Sequence, residues 1–418
     1  MNIDTHIENI TEAKIREIPG GVCAPKGFMA AGQYCGIRKN KDKKDLALIF
    51  CQVPCKASAV YTSNKVKAAP LYVTMEHLVD GWAQAVVVNS GNANSCAPKG
   101  EENAIRMAIA AAKALNIKKQ DLIVASTGII GVPLEIDEIE TCMPMLVEAL
   151  SKDGSSDAAE AIMTSDTYKK EYSISVDVGG KEVKIGGISK GSGMIHPNMG
   201  TTLSFLTTDV DIDQKLLHKA LSYCVKKSFN QISVDGDTST NDMASLMASG
   251  LAGNPQITWE NEDYSIFVDA LLKVCIYLAR ELARDGEGAT RLISCTIVNA
   301  VSEDNAEIMS KAVIASSLTK AAMFGGDANW GRVLCAMGYS GVDFNYETSD
   351  IYFISKAGQL QVCANGRGIA FDEISAKEIL SEDEIEIVVD LKEGTNQATA
   401  WGCDLTYDYV KINGQYRT

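Results

Sequence analysis

The sequence predicts an α/β protein, because strand patterns and helix patterns alternate along most of the chain. The β-branched or apolar runs 46–51, 84–89 and 121–125 are typical of buried strands. Between them, the Ala-rich segment 101–115 has a high helix propensity. Farther along, residues 264–284 place their apolar side chains on one face of a long helix.

The remaining segments extend this pattern to the end of the chain. Two alternating segments, 172–178 and 182–188, flank Gly179-Gly180 and predict a hairpin. The strand patterns and helix that follow residue 285 indicate a smaller α/β unit. The other predicted elements are a helix at 135–150 that is broken or kinked near Pro144, helices at 158–163, 214–227, 305–324 and 373–381, strands at 202–210, 292–298, 351–355 and 384–390, and a strand pattern from 399.

The composition is that of a globular protein with an acidic balance. Of 418 residues, 46% are apolar and the net charge is −15. This charge argues against a nucleic-acid partner or an anionic membrane surface, since both require basic patches. No apolar stretch is long enough for a transmembrane helix, and the first residues do not form a secretory signal.

The twelve cysteines and four histidines form no zinc-ligand spacing. Cys51 and Cys55 are the closest pair, and no second pair matches them. Scattered cysteines in a chain without a signal are most often buried, reduced thiols. We therefore expect a cytoplasmic protein without a structural metal and without a cofactor.

A loop rich in Gly, Ser, Pro and Asn occupies residues 190–200 and leads into a β-branched run from Thr201. If the Gly200–Thr201 bond were cut, Thr201 would carry a free α-amine beside its hydroxyl. Such an amine has a pKa of about 7.7–8.0, and a Thr hydroxyl paired with its own terminal amine is an activated nucleophile. Taken alone, the same stretch is more simply a loop that enters a core strand.

Three other polar segments have the residue types of a site. Thr127 and Gly128 follow the strand at 121–125 and could present backbone N–H groups as an oxyanion pocket, or form a plain turn. Glu287 lies between two glycines at a helix end, where it could enter a site or remain an exposed cap. The acids from Asp235 to Asp242 could bind a metal, but they lack the order of a calcium loop and more simply brace a buried turn.

Together these segments closely resemble the ornithine acetyltransferase family, the glutamate N-acetyltransferases of arginine biosynthesis. The likeness runs from about Gly20 to Thr418. The Lys-Gly-Ser-Gly-Met-Ile sequence from Lys190, followed by Pro-Asn-Met and a Thr, matches the self-cleavage site of the family. The motifs that carry the resemblance are Thr127-Gly128, 190–201, Asp285-Gly-Glu287-Gly-Ala-Thr290, Asn329-Trp-Gly-Arg332 and the tail Asn413–Thr418.

The resemblance implies a fold and a maturation step. The fold would be an N-terminal-nucleophile-like αββα sandwich, near residues 1–285, with a smaller C-terminal α/β domain at 286–418. Cleavage at Gly200–Thr201 would give an α chain, 1–200, and a β chain, 201–418, which assemble as an α2β2 heterotetramer. Members transfer an acetyl group from N2-acetyl-L-ornithine to L-glutamate, and some also use acetyl-CoA as a co-substrate.

The resemblance also assigns site residues. Thr201 would be the nucleophile, and Thr127 and Gly128 the oxyanion hole. Ser165, Gly200 and Thr202 depart from the usual Thr, Ala and Met of the family, and the spacing from Pro197 keeps Thr201 as the nucleophile. Thr167 closes the same short motif as Thr164 and could take its place. The substrate-binding set would be Thr164, Lys190, Thr201, Glu287, Asn413 and Thr418.

Three alternatives follow from the residues themselves. An amide hydrolase such as a β-aminopeptidase would use water in place of glutamate. A metal-dependent phosphoryl-transfer enzyme would use Asp235, Asp237 and Asp242. A binding protein without activity would remain an uncut chain.

Overall fold

The computed structural model describes residues 15–197 and 202–415, which form two compact units. The first unit comprises residues 15–191, 197, 202–230 and 238–278. The second comprises residues 192–196, 231–237 and 279–415. The predicted division of the chain at Gly200–Thr201 lies outside the described residues and stays a prediction.

Strands and helices alternate along the chain. The strands are β1 Arg16–Glu17, β2 Phe28–Gln33, β3 Leu46–Tyr61, β4 Trp82–Asn89, β5 Leu122–Ser126, β6 Lys170–Val178, β7 Lys181–Lys190, β8 Leu203–Thr208, β9 Ile232–Ser233, β10 Met243–Ala248, β11 Leu292–Ala300, β12 Asp350–Ser355, β13 Gly358–Ala364, β14 Arg367–Gly368, β15 Glu384–Asp390 and β16 Asn396–Cys403. The helices are α1 Ala69–His77, α2 Gly100–Leu115, α3 Ile136–Glu148, α4 Ser155–Ala161, α5 Gln214–Lys227, α6 Glu262–Arg284, α7 Glu303–Ala315, α8 Ser317–Gly325, α9 Trp330–Gly338, α10 Glu373–Leu380 and α11 Tyr407–Gln415. None of the helices in these two ranges is both long and apolar enough to cross a bilayer.

The sheet of the first unit has nine strands, in the order β1-β6-β7-β8-β10-β3-β4-β5, with β2 paired to β3. The long strand β3 joins the part of this sheet that contains β10 to the part that contains β4. Residues 46–50 of β3 pair with β4, and residues 56–61 pair with β10. The register shifts between Phe50 and Cys55, where the strand passes from one part to the other.

Side-chain alternation along the strands builds four layers in the first unit. On one face of β3, β4 and β5, Leu48 packs in a core with Met107 of α2 and Leu146 of α3. On the opposite face, Ile49 shares a core with Phe205 of β8. The outer face of β7 and β8 carries α6, because a Cβ at Gly187 would lie 2.8 Å from the Leu278 side chain. The order helix–sheet–sheet–helix confirms the predicted αββα sandwich.

The second unit is a separate α/β structure. Its seven-stranded sheet has the order β14-β13-β12-β15-β11-β16-β9. Ile297 of β11 and Val389 of β15 share a buried core with Met309 of α7 and Met337 of α9. This arrangement is the α/β unit that the C-terminal strand and helix patterns predict.

Several predicted elements have different bounds. The helix predicted at 305–324 is two helices, because Ser316 is extended and its hydroxyl caps α8 by accepting from the Thr319 N–H. The motif from Asn329 to Arg332 contains the start of α9, which Asn329 caps. The strand predicted in the tail ends at Cys403, and α11 follows it. Gly179 and Gly180 both have positive φ, as the predicted hairpin requires.

Candidate active site

Thr127 and Gly128 directly follow β5 and lie in a loop whose backbone is held on both sides. The Thr127 N–H donates to the Asn89 carbonyl at 3.0 Å, and the Ile129 N–H donates to the Gly91 carbonyl at 3.3 Å. Between them, the Gly128 N–H donates to no atom of the described residues. Gly128 has a φ of +133°, and a Cβ there would lie 2.3 Å from the Gly91 carbonyl carbon. The loop therefore presents one unused backbone donor at a position that only glycine fits.

Buried asparagines brace this loop. Asn89 donates to the Asn92 carbonyl and accepts from the Ser126 hydroxyl. Asn241 donates from its amide nitrogen to the carbonyls of both Ala93 and Ser126, each at 2.7 Å. A loop with its buried polar groups paired in this way is held in one conformation.

Lys190 ends β7 and is buried in the first unit. Its Nζ donates to the Thr127 Oγ1 at 3.3 Å. Burial lowers the pKa of Lys190 below its usual value; Asp166 and Asp242 oppose this effect, and Lys170 adds to it. Because the Thr127 oxygen accepts from Lys190, the hydroxyl hydrogen of Thr127 is directed elsewhere and can serve as a second donor.

Asp166 is the centre of a buried polar network near Thr164. Its Oδ1 accepts from the Lys170 Nζ at 2.8 Å and from the Gly191 N–H at 2.6 Å. Its Oδ2 accepts from the Thr164 N–H at 2.8 Å. Burial alone would raise the pKa of Asp166, but the charges of Lys170 and Lys190 and the hydrogen bonds hold it below its usual range.

In the second unit, Asp235 braces residues 194 and 195, which belong to the loop that follows β7. Its carboxylate accepts from the backbone N–H groups of Met194, at 2.6 Å, and Ile195, at 2.9 Å. It also accepts from the Asp237 N–H at 3.2 Å. No group of three or more His, Cys, Asp or Glu residues in the described ranges could hold a metal ion. The hydrogen bonds of Asp235 are those of a residue that braces a turn, which is one of the two interpretations that the sequence allows.

Glu287 follows α6 and contacts the same loop within the second unit. Its N–H donates to the Ser192 carbonyl at 2.8 Å, and a Cβ at Gly193 would lie 2.3 Å from its Oε2. The Asn413 Nδ2 donates to this Oε2 at 2.8 Å. Gly288 has a φ of +70°, and a Cβ there would lie 2.6 Å from the Tyr409 nitrogen, so glycine is required. The loop and α11 thus fix one carboxylate beside Gly193.

The structure brings the predicted site residues together in two groups. Thr127, Gly128, Thr164 and Lys190 belong to the first unit, and Glu287 and Asn413 to the second. Gly200, Thr201 and Thr418 lie outside the described residues.

Sequence reasoning missed Asp166, Lys170 and the asparagines. The sequence signal for the ion pair of Asp166 and Lys170 is their i,i+4 spacing. This spacing is ordinary on an exposed helix face, so it does not identify a buried pair. The asparagines lie in Gly- and Asn-containing loops that are also typical of plain turns.

Comparison with known proteins places this chain in a family. Residues 29–418 match the profile of the ArgJ family. The arginine biosynthesis bifunctional protein ArgJ of Caldanaerobacter subterraneus is 50% identical over 402 residues, which cover 96% of this chain and 99% of that protein. The protein of the same name from Symbiobacterium thermophilum is 51% identical over 403 residues, which cover 96% of this chain and 99% of that protein.

Two solved structures are similar over about half of the chain. The crystal structure of the arginine biosynthesis bifunctional protein ArgJ of Bacillus halodurans is 46% identical, covers 51% of this chain and 98% of its own, and has a TM-score of 0.48. The ornithine acetyltransferase of Mycobacterium tuberculosis, solved with ornithine, is 36% identical, covers 44% of this chain and 98% of its own, and has a TM-score of 0.41.

The match over most of the chain, with relatives about half identical, defines a bifunctional enzyme of arginine biosynthesis. The chain belongs to the ArgJ family. The predicted enzyme class, a glutamate N-acetyltransferase, is confirmed by this membership, and its substrates are small molecules.

Proposed function

We propose that this enzyme transfers the acetyl group of N2-acetyl-L-ornithine to L-glutamate through an acetyl ester on Thr201. The observation that supports this best is the Thr127–Gly128 loop. It offers an unused backbone N–H at Gly128 beside a Thr127 hydroxyl whose oxygen already accepts from Lys190. Two fixed donors at one loop are what a tetrahedral oxyanion requires.

The first half-reaction acetylates Thr201. The Thr201 hydroxyl attacks the acetyl carbonyl carbon while the α-amine of Thr201 accepts its proton. The negative charge moves to the carbonyl oxygen, which the Gly128 N–H and the Thr127 hydroxyl stabilise. The C–N bond then breaks, the departing α-nitrogen takes the proton from the Thr201 amine, and ornithine leaves. One such donor is worth about 2.7–4 kcal/mol of the barrier.

The second half-reaction uses the same groups in reverse. The uncharged amine of glutamate attacks the ester carbonyl and passes a proton to the Thr201 amine. The Thr201 oxygen leaves and recovers that proton, which releases N-acetyl-L-glutamate and the free enzyme.

Both substrates carry a carboxylate and an amino-acid backbone. In this proposal Lys190 binds a substrate carboxylate, since it is a buried cation with two further N–H donors besides the one directed at Thr127. Glu287, oriented by Asn413, binds an ammonium group. Thr164 and Thr418 complete the proposed substrate-binding set.

Maturation belongs to the same proposal. The Thr201 hydroxyl attacks the Gly200 carbonyl, the peptide becomes an ester, and water opens the ester to give the two chains. The proposal includes an α2β2 heterotetramer, a cytoplasmic location, no cofactor and acetyl-CoA as an additional donor.

N-terminal sequencing of the purified enzyme tests the maturation step, and a second terminus that begins Thr-Thr-Leu-Ser-Phe is expected. Initial rates at varied acetylornithine and glutamate should give parallel double-reciprocal lines, because the donor product leaves before the acceptor binds. Intersecting lines contradict the acetyl-Thr intermediate. Equal release of ornithine with and without glutamate identifies an amide hydrolase instead.

A further inference from the structure

We propose that the buried Asp166–Lys170 ion pair positions Lys190 for acetyl transfer and leaves its ammonium group available to the carboxylate of an amino-acid substrate. The inference rests on the proposed function, because Lys190 must bind a substrate. Asp166 and Lys170 act through Lys190 and are positioning residues.

The pair itself is unusual in its burial. Both side chains are 0% exposed, and the Lys170 Nζ lies 2.8 Å from the Asp166 Oδ1. Removing two charges from water costs several kcal/mol per ion before their attraction offsets it. A buried pair of this kind contributes little net stability, so its presence beside predicted site residues favours a role in the site.

The contacts of Asp166 link three predicted site residues. The carboxylate holds the Gly191 N–H at 2.6 Å, which fixes the peptide that follows Lys190. Its other oxygen holds the Thr164 N–H at 2.8 Å. With its main chain fixed, Lys190 directs its Nζ to Thr127 at 3.3 Å. Asp166 therefore couples the position of Thr164 to that of Lys190.

Lys170 determines whether the Asp166 carboxylate is available to pair with Lys190. The charged groups that act on Lys190 are Asp166, Lys170, Asp242 and Arg38. Without Lys170, the Asp166 carboxylate would be free to pair with Lys190 and would compete with a substrate carboxylate. With Lys170 in place, the Asp166 carboxylate is already paired at 2.8 Å, which leaves the Lys190 ammonium group for a substrate carboxylate.

Removal of Asp166 and removal of Lys170 should therefore shift the pKa of Lys190 in opposite directions. The Asp166→Asn substitution removes the carboxylate that offsets the charges of Lys170 and Lys190, so Lys190 loses its proton more easily. The Lys170→Met substitution leaves Asp166 as an unpaired carboxylate, so Lys190 holds its proton more strongly but is occupied. The double variant, Asp166→Asn with Lys170→Met, restores the net charge.

The test is a pH profile of kcat/KM for acetylornithine and glutamate on cleaved enzyme, for wild type, both single variants and the double variant. The alkaline limb should move to lower pH in Asp166→Asn and to higher pH in Lys170→Met. We expect KM in Lys170→Met to rise about 10-fold to 100-fold, the range for one hydrogen bond to a charged group, with kcat nearly unchanged. The double variant should return toward wild type in both quantities.

Lys169→Met is the matched control, because Lys169 is the neighbouring lysine, is exposed, and donates from its Nζ to the Ser156 hydroxyl at 2.6 Å. It should leave KM and the profile unchanged. Shifts of both single variants in one direction, or losses that add in the double variant, would overturn the inference. If Asp166→Asn does not fold, the test rests on Lys170→Met alone, because this variant keeps the hydrogen bonds of Asp166 to Gly191 and Thr164. An unchanged KM and an unchanged pH profile in Lys170→Met would then refute the positioning role of the pair. Wild-type enzyme without transfer activity would instead refute the proposed function.

Discussion

Replacement of Gly128 by Ala tests the proposed oxyanion hole most directly. A Cβ at this position would lie 2.3 Å from the Gly91 carbonyl carbon and 2.5 Å from the Asn92 nitrogen. Both are backbone atoms, which cannot move aside as a flexible side chain could. The φ of +133° also disfavours any residue with a side chain. The loop must shift, and the Gly128 N–H moves with it.

The expected cost follows from the loss of one donor. A misplaced oxyanion-hole donor raises the barrier by about 2.7–4 kcal/mol, so kcat should fall about 10²-fold to 10³-fold. Separately, the backbone strain should lower the free energy of unfolding by about 1–3 kcal/mol. Initial rates under saturating acetylornithine and glutamate measure the first effect, and urea unfolding measures the second. Rates are compared per amount of cleaved enzyme, as read from a denaturing gel.

Gly131→Ala is the matched control in the same loop. Gly131 also has a positive φ, +82°, but nothing lies within 4 Å of the position of its Cβ. The control therefore introduces backbone strain without the clash, and its kcat should stay within about threefold of wild type. If Gly131→Ala loses as much activity as Gly128→Ala, strain in the loop explains the loss and the oxyanion role of Gly128 is refuted.

Four further predictions follow from the site. Thr201→Ala should give a single band near 44.9 kDa on a denaturing gel, and two fragments would exclude Thr201 as the nucleophile. Burial lowers the pKa of Lys190, and only its charged form binds a carboxylate. The pH profile of activity should therefore decline on its alkaline side at a lower pH than an ordinary lysine would give, and Lys190→Met should remove this decline. Asn241→Ala should lower the free energy of unfolding by about 1–3 kcal/mol in urea, since two carbonyls lose their donor; an unchanged midpoint contradicts the bracing role. The folded-state pKa of Asp166 lies below its unfolded value, so its stabilisation is complete above about pH 4 and is lost as the pH falls further; the stability difference between wild type and Asp166→Asn should narrow between pH 7 and pH 3.

The sequence predicts those elements whose signal is local. The hairpin at Gly179-Gly180 follows from two residues that accept positive φ between alternating strands. The turn at Thr127-Gly128 follows from a β-branched run that ends in a glycine. These features depend on a few neighbouring residues, and periodicity or glycine identifies them.

Features that depend on distant partners could not be predicted in this way. Pro54 interrupts the apolar run after Cys51, so the sequence indicates a short strand, whereas β3 continues to Tyr61 because β10 pairs with its second half. The helix break at Ser316 needs a serine hydroxyl that caps the next helix, and a serine alone does not mark such a break, because Ser310 lies inside α7. The Asp166–Lys170 pair is polar in sequence, and its burial is not visible there, because Asp166 is paired with Gly191, which lies 25 residues farther along the chain.

The pairing of β7 with β8 has a consequence for protein engineering. Six residues of each strand are in register, from Lys190 with Leu203 to Ile185 with Thr208, and β8 also pairs with β10 along its whole length. A break in the connection between β7 and β8 leaves every one of these hydrogen bonds in place. The segments on either side of the break share one sheet and one apolar core, so we expect them to remain associated after the break. Two separately synthesised segments, 1–200 and 201–418, are therefore suitable for reconstitution by fragment complementation.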